Sequence, residues 1–123
     1  MKAKRLLFLH PDPQWRFLVG ALFAPPDYQS DITETHEAFF ALLDAGTVYD
    51  GIFIANNRDK SPTGVDVLET LRREPAYERL HGTPIGVISG DPRVICARVE
   101  NLNGISISSV EVRAQIIAAL SKP

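Results

Sequence analysis

Apolar and polar positions fall in blocks along the chain: short, unbroken apolar runs, each followed by a stretch of helical spacing. Leu6-Leu7-Phe8-Leu9 is the first run, stopped by His10-Pro11-Asp12-Pro13. A run of this kind suits a strand buried on both faces, as in a parallel sheet. Asp12 supplies a helix cap, and Pro13 a first helical position where the missing N–H costs nothing. Phe17, Leu18, Ala21 and Leu22 then predict one apolar helix stripe, closed by Ala24-Pro25-Pro26-Asp27. Ser30 to Thr35 reads as a polar edge strand around Ile32. Glu37 to Ala45 reads as a short helix with Phe39, Phe40, Leu42 and Leu43, stopped by Gly46. Ile52-Phe53-Ile54-Ala55 is the second buried run, and a polar loop from Asn56 to Gly64 follows it. Val65, Leu68 and Leu71 mark a third helix that must end before Pro75. Pro84 to Gly90 holds the next strand. Asp91-Pro92 predicts another cap and helix start, with Val94, Ile95, Ala97, Val99 and Leu102 as its apolar positions. Ile105 and Ile107 alternate with serines in a short last strand, and Val112, Ile116, Ile117 and Leu120 define the closing helix. Strand and helix thus alternate through the whole chain, with no repeat or linker. The pattern predicts one α/β domain over residues 1–123, its parallel sheet covered on both faces by right-handed crossovers. Ligands in such folds sit outside the carboxyl ends of the strands.

Composition narrows the function classes. The 123 residues are 45% hydrophobic and 23% charged, which argues against a disordered chain and suffices for a real core. The net charge of −2, with no run of like charges, argues against a nucleic-acid surface. Cys96 is the only cysteine, so neither an intrachain disulfide nor a multi-cysteine zinc site can form. No apolar run approaches the ~18 residues of a membrane span. The run after the basic start ends too soon for a signal peptide, so the expectation is a cytoplasmic protein without membrane contact.

With these elements in order, the chain resembles the receiver domain of bacterial two-component response regulators over essentially its whole length. The first strand and turn, Leu6 to Arg16, are similar to the family's apolar-apolar-Asp-Asp-acid-Pro-x-x-Arg pattern. Tyr49-Asp50-Gly51-Ile52-Phe53-Ile54 is similar to the approach to the phosphorylated aspartate. Gly64 to Arg73 resembles the glycine-led third helix, and Thr83 to Gly90 the fourth strand with its hydroxyl residue. The resemblance implies a CheY-like, flavodoxin-like, doubly wound sheet of five strands in the order 2-1-3-4-5.

It also shows departures. Two acidic residues that would hold Mg²⁺ are His10 and Pro11 here. The phosphoacceptor slot is Ala55 counting from Asp50, or Asn56 counting back from Gly64. Ser108-Ser109 stand where the family has a lysine and a proline, and Ile105 stands at the aromatic switch position. Only the hydroxyl of Ser89 remains. Phosphoryl transfer to a carboxylate needs a nucleophile, a cation bridging the phosphoryl oxygens and a fixed positive group. Histidine and proline are poor ligands for a hard, oxygen-seeking cation.

His10, Pro11, Asp12, Ala55, Asn56, Ser89 and Ser108 are therefore read as a degenerate phosphorylation pocket, with no catalytic residue, metal or cofactor. The expected function is a pseudo-receiver, a phosphorylation-independent module that binds another signalling protein or an output domain and allows a homodimer. Its expected partner face is helix 4, strand 5 and helix 5, with Arg98, Glu100, Arg113 and Gln115 as exposed polar residues. Two alternatives stay open. One is an atypical phosphoacceptor such as Asp59. The other is an anion or metabolite sensor, in which Ser89 and Ser108 help hold the ligand at the helix starts.

Overall fold

The computed structural model describes residues 3–56 and 62–121. Five strands, β1 (Lys4–Leu9), β2 (Tyr28–Thr33), β3 (Gly51–Ala55), β4 (Ile85–Ser89) and β5 (Ile105–Ser108), form one parallel sheet in the order β2-β1-β3-β4-β5. Five α-helices alternate with them and cover both faces: α1 (Pro13–Leu22), α2 (His36–Asp44), α3 (Gly64–Arg73), α4 (Cys96–Asn101) and α5 (Val112–Leu120). The expected fold class and strand order are those observed. The chain divides into two compact units, Met1–Phe53 and Ile54–Pro123.

In the first unit, β1 and β2 pair in register from Lys4 opposite Tyr28 to Leu9 opposite Thr33. Leu6, Leu7, Phe8 and Leu9 are all buried, and the Phe8 ring packs between Phe23 and Phe53 at 5.7 and 5.6 Å. The polar edge strand begins and ends two residues earlier than expected. Its hydroxyls are used inward: Thr33 Oγ1 donates to the Phe8 carbonyl at 2.7 Å and Ser30 Oγ to that of Phe23 at 2.9 Å. Thr35 leaves the strand because it caps α2, accepting from the Ala38 N–H. Gly46, at φ +85°, ends the α2 turn as expected.

One expectation about α1 fails. The predicted stripe of Phe17, Leu18, Ala21 and Leu22 is not its inner face. Val19 and Phe23 are buried, whereas Phe17, Leu18 and Ala21 face solvent. Nearly every position of this helix is apolar, so periodicity alone does not select a side.

In the second unit, α3 opens with a capping box in which Thr63 and Asp66 each bond the other's backbone N–H. Val65, Val67, Leu68 and Leu71 are buried beneath it. The helix stops at Arg73, before Pro75, and a 3-10 segment, Pro75–Leu80, leads toward β4, every residue of which is buried.

The segment after β4 departs from expectation. Asp91 makes no side-chain cap; its Oδ1 accepts instead from Arg93 Nε at 3.3 Å, and Pro92–Val94 is a 3-10 turn. Only six residues remain for α4, so Val94 lies outside it and exposed, and Ala97 is also on the solvent side. Ile95, Val99 and Leu102 are buried as expected. Among the described residues no helix is long and apolar enough to cross a membrane.

Candidate functional site

Each expected pocket residue lies at or just beyond the carboxyl end of its own strand. In the first unit these are His10, Pro11 and Asp12, between β1 and α1. The His10 N–H donates to the Thr33 carbonyl at 3.0 Å, extending the sheet by one residue. The turn that follows is closed on itself. The Asp12 N–H donates to His10 Nδ1 at 3.1 Å, and Asp12 Oδ1 accepts from the Gln14 N–H at 2.8 Å, the expected helix cap. Trp15 stacks on the His10 ring at 5.2 Å with planes 6° apart. Arg16 turns back and donates through Nη1 to the carbonyls of His10 at 3.1 Å and Pro11 at 2.8 Å, while Nη2 lies 3.8 Å from a Glu34 carboxylate oxygen.

A guanidinium therefore occupies the carbonyl oxygens of this turn, and the carboxylate of Asp12 is used by the backbone. Burial lowers the pKa of His10 from the ordinary histidine value; the nearby Asp12 charge opposes the shift and Arg16 adds to it. With Nδ1 accepting a hydrogen bond, the neutral ring carries its proton on Nε2.

The shift has a stability consequence. A lowered native pKa means that the unfolded chain binds the proton more readily. The contribution of neutral His10 is then present above the unfolded pKa and lost as pH falls from about 6.5 through the native value. His10→Asn, whose side-chain oxygen can still accept from the Asp12 N–H, is expected to flatten the fall in melting temperature between about pH 7 and pH 5. Thermal melts of both proteins across that range check it. Equal slopes would mean that His10 is not titrating.

In the second unit, Asn56, Ser89 and Ser108 stand side by side across the ends of β3, β4 and β5. The Asn56 N–H donates to the Ile88 carbonyl at 2.8 Å, and Ser89 pairs with Ser108 in the β4–β5 register. All three polar side chains have local partners. Asn56 Oδ1 accepts from the Val65 N–H at 3.3 Å, at the start of α3. Ser89 Oγ accepts from the Asp91 N–H at 3.2 Å, and Ser108 Oγ from the Val110 N–H at 3.3 Å. Ala55 ends β3, and its carbonyl lies directly against Gly64. Asp59, the alternative phosphoacceptor, falls outside the described residues. Among the described residues no group of three or more His, Cys, Asp or Glu is placed to hold a metal ion.

The residues of the expected partner face differ in exposure. Arg98, Glu100 and Arg113 are exposed, but Gln115 is half-buried. Its Oε1 accepts from the Ser108 N–H at 2.7 Å and its Nε2 donates to Glu111 at 3.0 Å, so it ties α5 to the end of β5. Arg98 lies 3.9 Å from Asp66 of the α3 capping box, a solvent-screened pair. The roles of Trp15, Arg16 and Gln115 were not evident from the sequence, because each depends on a turn closing before the side chain can reach its partner.

No protein-family model and no curated protein matches the chain. Solved structures do. A CheY-like response regulator receiver domain from Methylobacillus flagellatus superposes with a TM-score of 0.77 at 15% identity, covering 97% of this chain and 99% of that one. The chemotaxis response regulator CheY4 of Vibrio cholerae gives 0.75 at 14%, covering 96% and 98%. A sensor protein from Polaromonas sp. JS666 gives 0.76 at 20%, covering 95% and 92%. With its strand order and alternating helices, the chain has the fold of CheY-like response regulator receiver domains.

Proposed function

We propose that this domain is a pseudo-receiver, a signalling module that docks another protein without being phosphorylated. The observation that carries the reading is the β1–α1 turn. Where a phosphorylatable receiver gathers carboxylates around Mg²⁺, this turn has a neutral histidine, a proline and an aspartate committed to capping α1. The Arg16 guanidinium is bound to its carbonyls, and a fixed cation there opposes a second one. At the end of β3, Ala55 and Asn56 offer no carboxylate to attack a phosphoryl group.

A two-state element that no ligand biases transmits nothing. The module therefore signals by docking, through exposed charges of α4 and α5 that include Arg98, Glu100 and Arg113. Gln115 is left out, being structural.

The test is an affinity capture with wild type, Arg98→Glu and Arg113→Glu, each with and without Mg²⁺ and a small phosphodonor. The expected result is the same partner in both conditions, no phosphoryl adduct by intact mass, and several-fold weaker capture by the charge reversals. Their unfolding curves should match the wild type. A partner recovered only after an acid-labile phosphoryl adduct forms would overturn the reading and point to Asp59, to be checked with Asp59→Asn.

A further inference from the structure

The last turn of α3 borders a cleft of about 330 Å³, lined by Arg72, Arg73, His81, Asn101, Leu102 and Asn103. None of the six is acidic. The half-buried guanidinium of Arg72 makes four hydrogen bonds, all to backbone carbonyls, which carry no net charge. Among the described residues no carboxylate forms an ion pair with it; Glu69 pairs with Arg73, at 3.5 Å. Burial lowers the Arg72 pKa with no anion to offset it. A charge held partly out of water without a counter-ion is costly, and an anion beside it recovers part of that cost.

The groups that would repel an anion here are already engaged. The carbonyl oxygens of Leu102 and Asn103 accept from Arg72. The carbonyl of Arg72 itself, at the negative end of the α3 dipole, lies 3.1 Å from His81 Nε2. A carbonyl can only accept, so Nε2 carries the proton. The lining side chains then offer guanidinium donors from α3 and carboxamide donors from the end of α4 and the turn before β5. Donors arriving from separate elements suit a tetrahedral oxyanion better than a planar carboxylate, and two guanidinium charges suit a dianion. The volume lies at the lower end of the ~300–1,000 Å³ of small-molecule sites, which leaves room for an organic body beside the anion.

We propose that this cleft binds the phosphate monoester of a small molecule, with Arg73 and Asn101 as donors and Arg72 as the fixed charge behind them. The site is separate from Asn56, Ser89 and Ser108. Asn56 meets the first turn of α3, and this helix of ten residues is ~15 Å long. The proposal rests on no part of the pseudo-receiver reading.

The test is NMR of backbone amides and arginine Nε–H groups, titrated with phenyl phosphate, inorganic phosphate, acetate and chloride at matched ionic strength. Phenyl phosphate is expected to give saturable shifts at Arg72 Nε–H and at the amides of residues 101–103, at lower concentration than inorganic phosphate. Acetate and chloride should not saturate. Arg73→Gln and Asn101→Asp should each weaken phenyl phosphate binding about fivefold. Both residues are exposed and Arg72 is untouched, so the melting temperatures should match the wild type. No saturable shift, the same response to chloride or acetate, or exclusion of phenyl phosphate where inorganic phosphate binds would each overturn the proposal. Saturable shifts confined to Ser89 and Ser108, or undiminished binding in both variants, would overturn it as well.

Discussion

Replacing Arg72 with methionine is expected to destabilise the protein by about 3 kcal/mol, among the largest effects of any substitution outside the apolar core. Arg72 lies in the last turn of α3, where positive charge opposes the helix dipole. Its main role is different. The guanidinium donates to four backbone carbonyls: Nε to Leu102 at 3.2 Å, Nη1 to Leu80 at 2.6 Å, and Nη2 to Thr83 at 3.0 Å and Asn103 at 2.8 Å. These carbonyls belong to the segment before β4 and to the turn between α4 and β5. One side chain therefore joins two loops to a helix.

Burial lowers the Arg72 pKa from the ordinary arginine value, yet an arginine remains charged throughout the working range. Methionine keeps the apolar stem and removes every donor. The carbonyls then depend on water, which reaches the more exposed of them and limits the loss to less than the sum of four bonds. Arg72→Lys should recover only part of the stability, since a point-like ammonium cannot reproduce the planar fork. Arg73→Met is the internal control. Arg73 is exposed, its partner is Glu69 at 3.5 Å one turn earlier, and the expected change is within about 0.5 kcal/mol. Urea unfolding of the three variants measures all of this, and equal midpoints for Arg72→Met and Arg73→Met would contradict it.

The second large effect is at Gly64, where α3 begins against the end of β3. A Cβ built there would stand 2.7 Å from the Ala55 carbonyl oxygen and 3.0 Å from both the Ala55 carbon and Asn56 Cα. These are backbone atoms and cannot swing aside. Alanine would gain up to about 1 kcal/mol over glycine in helix propensity, but the clash is expected to cost about 3 kcal/mol, leaving a net loss near 2 kcal/mol. The strain should appear first in the hydrogen bond between the Val65 N–H and Asn56 Oδ1, as faster exchange of the Val65 amide. Gly82→Ala is the comparison, because nothing lies within 4 Å of the position its Cβ would take. An unaltered Val65 amide and an unaltered unfolding midpoint in Gly64→Ala would show that the junction relaxes freely.

The Gly64 junction bears on the candidate site. Its missing side chain lets Asn56 sit close enough to α3 to accept the Val65 N–H. The side chain at one of the two candidate phosphoacceptor positions thereby has a structural task. At β1 the same exchange occurs, with Asp12 capping α1 and His10 receiving the Asp12 N–H. Polar groups at strand ends must find partners whether or not they do chemistry.

Several features were legible from the chain alone because their causes are short-range. Leu6 to Leu9 and Ile52 to Ala55 announce strands by unbroken apolar runs. Asp12-Pro13 announces a helix start, Gly46 a helix end, and Pro75 the limit of α3. The strand order came from the resemblance to receivers, since periodicity does not rank neighbours, and the observed sheet has that order.

Tertiary structure decided the rest. On α1 both sides carry apolar residues; the side that faces inward is the one that buries Val19 and sets the C-cap Phe23 against Phe8, and Phe17 is left in solvent. Asp91 has a capping residue's chemistry, but its carboxylate accepts from Arg93, and a 3-10 turn stands where the start of α4 was expected. Gln115 reads as a surface residue until β5 and α5 come together and the Ser108 N–H needs an acceptor. Local signals set where elements begin and end, because a cap or a proline acts over one turn. Which face is buried and which polar group is engaged depends on competing partners distant in sequence, and the differences between those alternatives are only a few kcal/mol.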